Sequence, residues 1–157
     1  MLGWSELTNI ECWQCIDHKL GVYMICLCNS KGRPIEIPRF LNTDKNGILQ
    51  IGKSGKNNNN RIKRFCGIMC GKKDAHSEAQ RMNLVKKYTC LQERYKDYRI
   101  RYIFKELGCE AEYGKEEERL LKCYFIRYGE LPPLNRNLPD KFYDMGDLAC
   151  EEFECSY

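Results

Sequence analysis

Between Tyr98 and Lys105, the residues Tyr98, Ile100, Tyr102 and Phe104 alternate with Arg99, Arg101 and Lys105. Successive side chains of a strand point to opposite faces, so this period of two calls for a sheet with one face covered by other elements. Two further segments read as strands: the apolar run from Leu20 to Cys28, rich in Val, Ile and Tyr, and the shorter run from Gly47 to Ile51. The linker between them, residues 29–46, holds Gly32, Pro34 and Pro38 and is too long for a tight hairpin. It reads as an excursion with a small strand of its own near Ile35 to Ile37. Helices separate the strands. Ile62, Phe65, Ile68 and Met69 recur at helical spacing after the polar run Asn57 to Asn60, and Gly71 offers a stop. A second helix is expected from an N-cap at Ser77, with Glu78 behind it, to about Lys87. A third, near Lys115 to Tyr128, lines up Leu120, Leu121, Tyr124, Phe125 and Tyr128, and ends at Gly129 before Pro132 and Pro133. The class is therefore α+β.

A chain of 157 residues suits one domain with a real core and is short for two. No apolar run approaches the roughly 18 residues that span a bilayer, and the start Met1-Leu2-Gly3-Trp4-Ser5-Glu6 lacks the pattern of a secretory signal, so a cytoplasmic protein is expected. The net charge of +4 conceals an asymmetry: residues 136–157 hold two basic and six acidic side chains, a charge of −4, which leaves +8 on residues 1–135. A basic body suits a polyanionic partner, because each cation that neutralises a phosphate releases counterions. The cysteines number 11, an odd count without a signal peptide, which argues for reduced thiols. Cys12, Cys15, Cys26 and Cys28 have the spacing for a zinc site as the alternative. Only two histidines are present, which excludes Cys2His2 fingers and His-rich metallonuclease sites.

Gly21-Val22-Tyr23, then Gln50-Ile51-Gly52-Lys53, then Arg61, and finally Glu118 with Asn135 seventeen positions later form an ordered set. Together they resemble the motifs of the GIY-YIG nucleases. The resemblance covers residues 20–135, between an N-terminal extension (1–19) and an acidic tail (136–157). It implies a small three-stranded antiparallel sheet flanked by helices, and hydrolysis of DNA phosphodiesters with one divalent cation, Mg²⁺ or Mn²⁺. Such chemistry needs an activated water, stabilisation of a pentacovalent transition state and help for the leaving oxygen.

By resemblance Tyr23 is the general base, which requires nearby cations to favour its phenolate. Lys53 and Arg61 supply that field, Arg61 clamping the phosphate with its planar fork of donors. Glu118 is the metal ligand by family spacing; Glu117, which points at the middle of the apolar stripe, is its rival. Asn135 buttresses the site by hydrogen bonding. Gln50 stands where the family usually has its second tyrosine, and Phe65 where it often has His or Tyr, so two polar helpers are replaced; His76 restores one. Arg64, on nearly the same helix face as Arg61, and the strip of Arg99 and Arg101 are candidates for contact with nucleic acid, alongside Gln50 and Asn135. Target choice falls to the 29–46 excursion, to that strip, or to a partner, whether a second copy or another protein. The competing readings are a nucleic-acid-binding protein that keeps the fold without cleavage, and a zinc-stapled or thiol-based interaction protein.

Overall fold

The computed structural model describes residues 4–16, 20–55, 60–138 and 150. Its elements are β1 (Thr8–Asn9), a 3₁₀ helix (Ile10–Cys15), β2 (Gly21–Asn29), β3 (Ile37–Pro38), β4 (Thr43–Asp44), β5 (Ile48–Ser54), α1 (Arg61–Met69), α2 (Ser77–Lys87), α3 (Thr89–Tyr95), β6 (Tyr98–Glu106) and α4 (Glu110–Tyr128). The main sheet has four antiparallel strands in the order β1-β6-β2-β5. The three expected strands are its long members. The fourth comes from the N-terminal extension, where Thr8 and Asn9 pair with Tyr102 and Arg101.

Both faces of this sheet are covered, where one was expected. Along β2 the side chains divide by parity: Tyr23 and Ile25 join a core with Ile62, Phe65 and Ala79 of α1 and α2, whereas Val22, Met24 and Cys26 join a core with Leu120, Leu121 and Tyr124 of α4. A central strand buried on both sides reads as a continuous apolar run, which is what Leu20 to Cys28 shows. In β6 the alternation is asymmetric because Ile100 and Tyr102 enter the first core while the opposite face mixes buried Ile103 with Arg101 and Lys105. Lys105 then bonds to Glu116 of α4 at 2.9 Å.

Several boundaries moved. Helix α4 begins at Glu110, five residues before the expected start, and continues through Gly114; it ends where foreseen, with Gly129 at φ 73° donating its N–H to Phe125 O at 2.7 Å. Ser77 is the first residue of α2, not its cap, a position held by His76 without a side-chain cap bond. Asn60 caps α1, its side chain accepting from Lys63 N–H at 3.0 Å. The excursion forms a hairpin of two two-residue strands, β3 and β4, and its return is secured by Asp44, which accepts N–H bonds from Asn46 and Ile48 and a hydroxyl bond from Tyr124 at 2.9 Å. Burial raises the Asp44 carboxyl above its ordinary value despite those donors.

The reduced-thiol reading fails at one pair: Cys123 of α4 is joined to Cys150 by a disulfide. Cys26 and Cys28 are buried thiols in β2 outside any disulfide; the side chains of Cys12 and Cys15 lie outside the described residues, as does most of the acidic tail. No helix among the described residues is long and apolar enough to cross a membrane.

Candidate functional site

The C-terminal end of β5 is where the sheet meets α1, α2 and α4. There a cleft of about 630 Å³ is lined by Gln50, Gly52 and Lys53 of β5, Arg61 of α1, Glu78 of α2, Glu117 and Glu118 of α4, and Asn135. These come from distant parts of the chain, and most are the residues the motif reading singled out. Their convergence follows from the topology: β5 is an edge strand, α1 leaves its end, and α4 lies across the sheet face beside it.

Tyr23 lies beneath the cleft floor. It pairs with Gly52 across the β2–β5 ladder, and a Cβ at position 52 would stand 2.6 Å from the Tyr23 Oη and Cζ atoms. Glycine is thus required here because the tyrosine ring occupies the space any side chain would need. The phenol is fully buried and its hydroxyl has no hydrogen-bond partner among the described residues. Burial pushes its pKa far above the ordinary phenol value, Arg61 pulls it down, and the charges of Glu117 and Glu78 push it further up. The expected field of cations is therefore outweighed by burial and by the two carboxylates, and Tyr23 is a neutral phenol.

Lys53 and Arg61 are each a little under half exposed in side chain, and each faces a carboxylate. Lys53 Nζ lies 3.2 Å from Glu117 Oε2, and its backbone N–H donates to Glu117 Oε1 at 3.1 Å. Arg61 lies 3.8 Å from Glu78 Oε1. Glu117 is the carboxylate of α4 whose charge reaches Tyr23. Glu118, which the family spacing favours, also lines the cleft but is paired with Lys122 at 2.9 Å. Helix geometry accounts for the difference, since neighbouring positions are about 100° apart around the axis and only Glu117 points at β5.

Asn135 completes the rim. Its amide donates to Ile51 O at 2.8 Å and accepts from Ile51 N–H at 2.9 Å, while Leu134 N–H donates to Leu49 O at 2.8 Å. The run after Pro132-Pro133 thereby satisfies the outer edge of β5 as another strand would. Asn135 is a buttress, with its polar atoms turned to the backbone. Gln50 is 2% exposed, and its Oε1 has no partner among the described residues.

His76 sits at the back of the cleft wall, 3% exposed in side chain, with Nδ1 3.0 Å from Glu78 Oε2, neither ring nitrogen hydrogen-bonded among the described residues, and its ring edge-on to Phe65. Burial holds it below the ordinary histidine range, Glu78 and Asp74 oppose this, and Arg61 and Arg64 add to it. Phe65 is thus the wall against which the imidazole packs. Three candidates lie elsewhere. Arg64 makes a two-pronged bond to Asp74 at 3.1 and 3.2 Å and also donates to Ala75 O, so its donors are committed to the loop before α2. Arg99 and Arg101 align with Cys28 and Cys26 on β2, toward the opposite end of that strand from Tyr23. Arg99 donates to Lys96 O and Tyr98 O, and Arg101 packs against Gly32.

The residue that the sequence reading passed over is Glu78, noticed there only as an acid near a helix start. Its signal was the His76-Ser77-Glu78 order, which puts an imidazole and a carboxylate on either side of a helix's first residue. As for a cation, no group of three or more His, Cys, Asp or Glu side chains among the described residues forms a ready cage. The cleft offers a hard ion the Glu117 carboxylate, with Glu118 at the next position, each now paired with a lysine; Mg²⁺ commonly binds through one or two carboxylates and keeps several waters.

Compared with known proteins, the chain matches no protein-family model, no curated protein and no solved structure.

Proposed function

We propose that this chain is a metal-dependent endonuclease that hydrolyses DNA phosphodiester bonds in the manner of the GIY-YIG nucleases its motifs resemble. The observation that carries this reading is the convergence on one cleft of Lys53, Arg61, Glu117 and Asn135 above the buried hydroxyl of Tyr23. Arg61 grips the scissile phosphate with its planar donors and Lys53 adds a second positive charge. Glu117, with Glu118 beside it, would hold Mg²⁺ or Mn²⁺, which when bound supplies Lewis-acid polarisation of the phosphoryl oxygen. The phenolate form of Tyr23, a small fraction that arises when the phenol has first lost its own proton to solvent, accepts the proton of the attacking water. Because burial keeps the phenol neutral, positive charge in the cleft has to carry that transfer, and Arg61 is the cation that already acts on it. His76 assists from behind Arg61, and Asn135 holds the β5 edge in place.

Nicking of supercoiled plasmid with Mg²⁺ or Mn²⁺ tests this. Glu117→Gln and Tyr23→Phe are expected to lose at least about a hundredfold in rate with DNA binding within about tenfold of wild type, and Glu118→Gln to lose less than about tenfold. Equal rates in all four proteins would point to a contaminant or a wrong site.

A second reading, a DNA-binding protein without cleavage, is favoured by the fully buried Phe65 where a polar helper would stand and by Gln50 in place of a tyrosine. Salt-sensitive binding with no nicking in either metal would select it.

A further inference from the structure

We propose that Glu78 is a positioning residue of the cleft, one whose carboxylate charge faces Arg61 through one oxygen and His76 through the other. This rests on the nuclease reading above, which gives Arg61 the phosphate.

The geometry is a charge between two basic groups. Glu78 Oε1 lies 3.8 Å from Arg61, an ion-pair distance and not a hydrogen bond, and Oε2 lies 3.0 Å from His76 Nδ1 without forming a hydrogen bond to it, while the neighbouring Ser77 hydroxyl donates to Oε2 at 2.8 Å. The carboxylate is 14% exposed and lines the cleft, so its charge acts where water is scarce. Burial alone would raise its pKa, but the Ser77 hydroxyl, its own backbone N–H and the two basic partners hold it below the ordinary range, so it is ionised at neutral pH.

Two consequences follow from one charge. A guanidinium with an anion beside it is less attractive to a phosphate but better fixed in direction, so Glu78 exchanges ground-state affinity for alignment. The imidazole feels Glu78 and Asp74 as anions and Arg61 and Arg64 as cations, with Phe65 against its ring. Removing Glu78 leaves the cations in the majority and favours the neutral ring still more. A residue that merely filled space would move neither property.

The experiment uses the full chain and Glu78→Gln, with Glu93→Gln as the control, since Glu93 is an exposed carboxylate on α3 paired with Lys96. His76 is titrated by NMR, and its resonance is assigned by comparison with His18→Gln because only two histidines are present. In Glu78→Gln the His76 midpoint should fall by about half a pH unit or more. Affinity for a short fluorescein-labelled DNA duplex in EDTA should rise about threefold to tenfold, while kcat for nicking falls about tenfold. Glu93→Gln should stay within about twofold in binding and rate. An unmoved His76 midpoint, or duplex affinity no higher than in Glu93→Gln, overturns the proposal. If Glu78→Gln does not fold, Glu78→Asp withdraws the same charge by one methylene and should shift both readouts in the same directions. Should wild type bind the duplex yet never nick, the His76 and affinity shifts would still establish the positioning role, and only the hydrolase reading would fall.

Discussion

Tyr23 lies beneath Gly52 with its hydroxyl fully buried, and that burial sets its protonation state. The proposed base role needs a hydroxyl at the cleft floor, yet burial without a hydrogen-bond partner among the described residues keeps the phenol neutral. The folded pKa lies above the ordinary value of 10.0, so through the neutral range the phenolate is a small fraction that grows tenfold with each pH unit. If that phenolate accepts the proton, kcat/KM should climb about tenfold per unit between roughly pH 7 and 9 and show no plateau there. A stopped-flow or gel-based rate profile with Mg²⁺ measures this, and Tyr23→Phe should lose the slope together with the activity. A plateau reached by about pH 7 would move the base role to a group that titrates lower, such as His76, which burial holds below its usual range. Of the site residues, the motif order made Tyr23, Lys53, Arg61 and Asn135 legible, because motifs report which residues recur along the chain. That Glu117 faces Lys53 while Glu118 pairs with Lys122 was not, since adjacent helical positions differ only in the direction that tertiary packing assigns them. Glu78 escaped notice for the same reason: its partners, Arg61 and His76, meet only after α1 and α2 pack together.

Among the elements, β5 has the most to lose from a single contact. Its inner edge is paired with β2, and its outer edge depends on Leu134 and on the two bonds that Asn135 makes to Ile51. Asn135→Ala should leave the Ile51 N–H and C=O unpaired beside a fully buried side chain, at about 1–3 kcal/mol in a denaturant melt, and should lower nicking because Gln50, Gly52 and Lys53 ride on that strand. Asn135→Asp, which keeps the acceptor and loses the donor, should fall between. Stability within about 0.5 kcal/mol of wild type for the alanine variant would mean that water replaces the amide and that the edge is not held there. The long elements could be read ahead of the structure because their apolar spacing is strong: β2, β6, α1 and the C-terminal half of α4. What could not be read depended on distant partners. Thr8–Asn9 is a strand only because β6 offers an open edge, α3 has no apolar stripe of its own to announce it, and Gly114 argued locally against an early start of α4 that packing against the sheet permits. The second covered face was hidden for a related reason, since Arg101 and Lys105 alternate like solvent-facing residues although Lys105 is bonded to Glu116 on α4.

At the scale of the whole molecule, the useful distinction is between arginines that carry charge and arginines whose donors are already spent. Residues 1–135 hold an excess of +8, which by itself predicts salt-sensitive attraction to DNA but not where the strand lies. The structure separates the candidates. Arg61 is 44% exposed in side chain at the cleft, its ion-pair partner among the described residues 3.8 Å away, whereas Arg64, three residues on, is locked to Asp74 through two bonds, and Arg99 is turned to backbone carbonyls toward the far end of β2. A residue that neutralises a phosphate contributes about one to the slope of log affinity against log salt, and a residue already neutralised by a carboxylate contributes little. Arg61→Gln should therefore weaken binding to a short duplex in EDTA and reduce the salt slope by about one, while Arg64→Gln and Arg99→Gln leave the slope within about 0.3 of wild type. Fluorescence anisotropy across a series of salt concentrations supplies the slopes. Equal reductions for Arg61 and Arg64 would mean that the Asp74 pair opens on binding, and a reduction confined to Arg99 would move the DNA from the β5 cleft to the other end of the sheet.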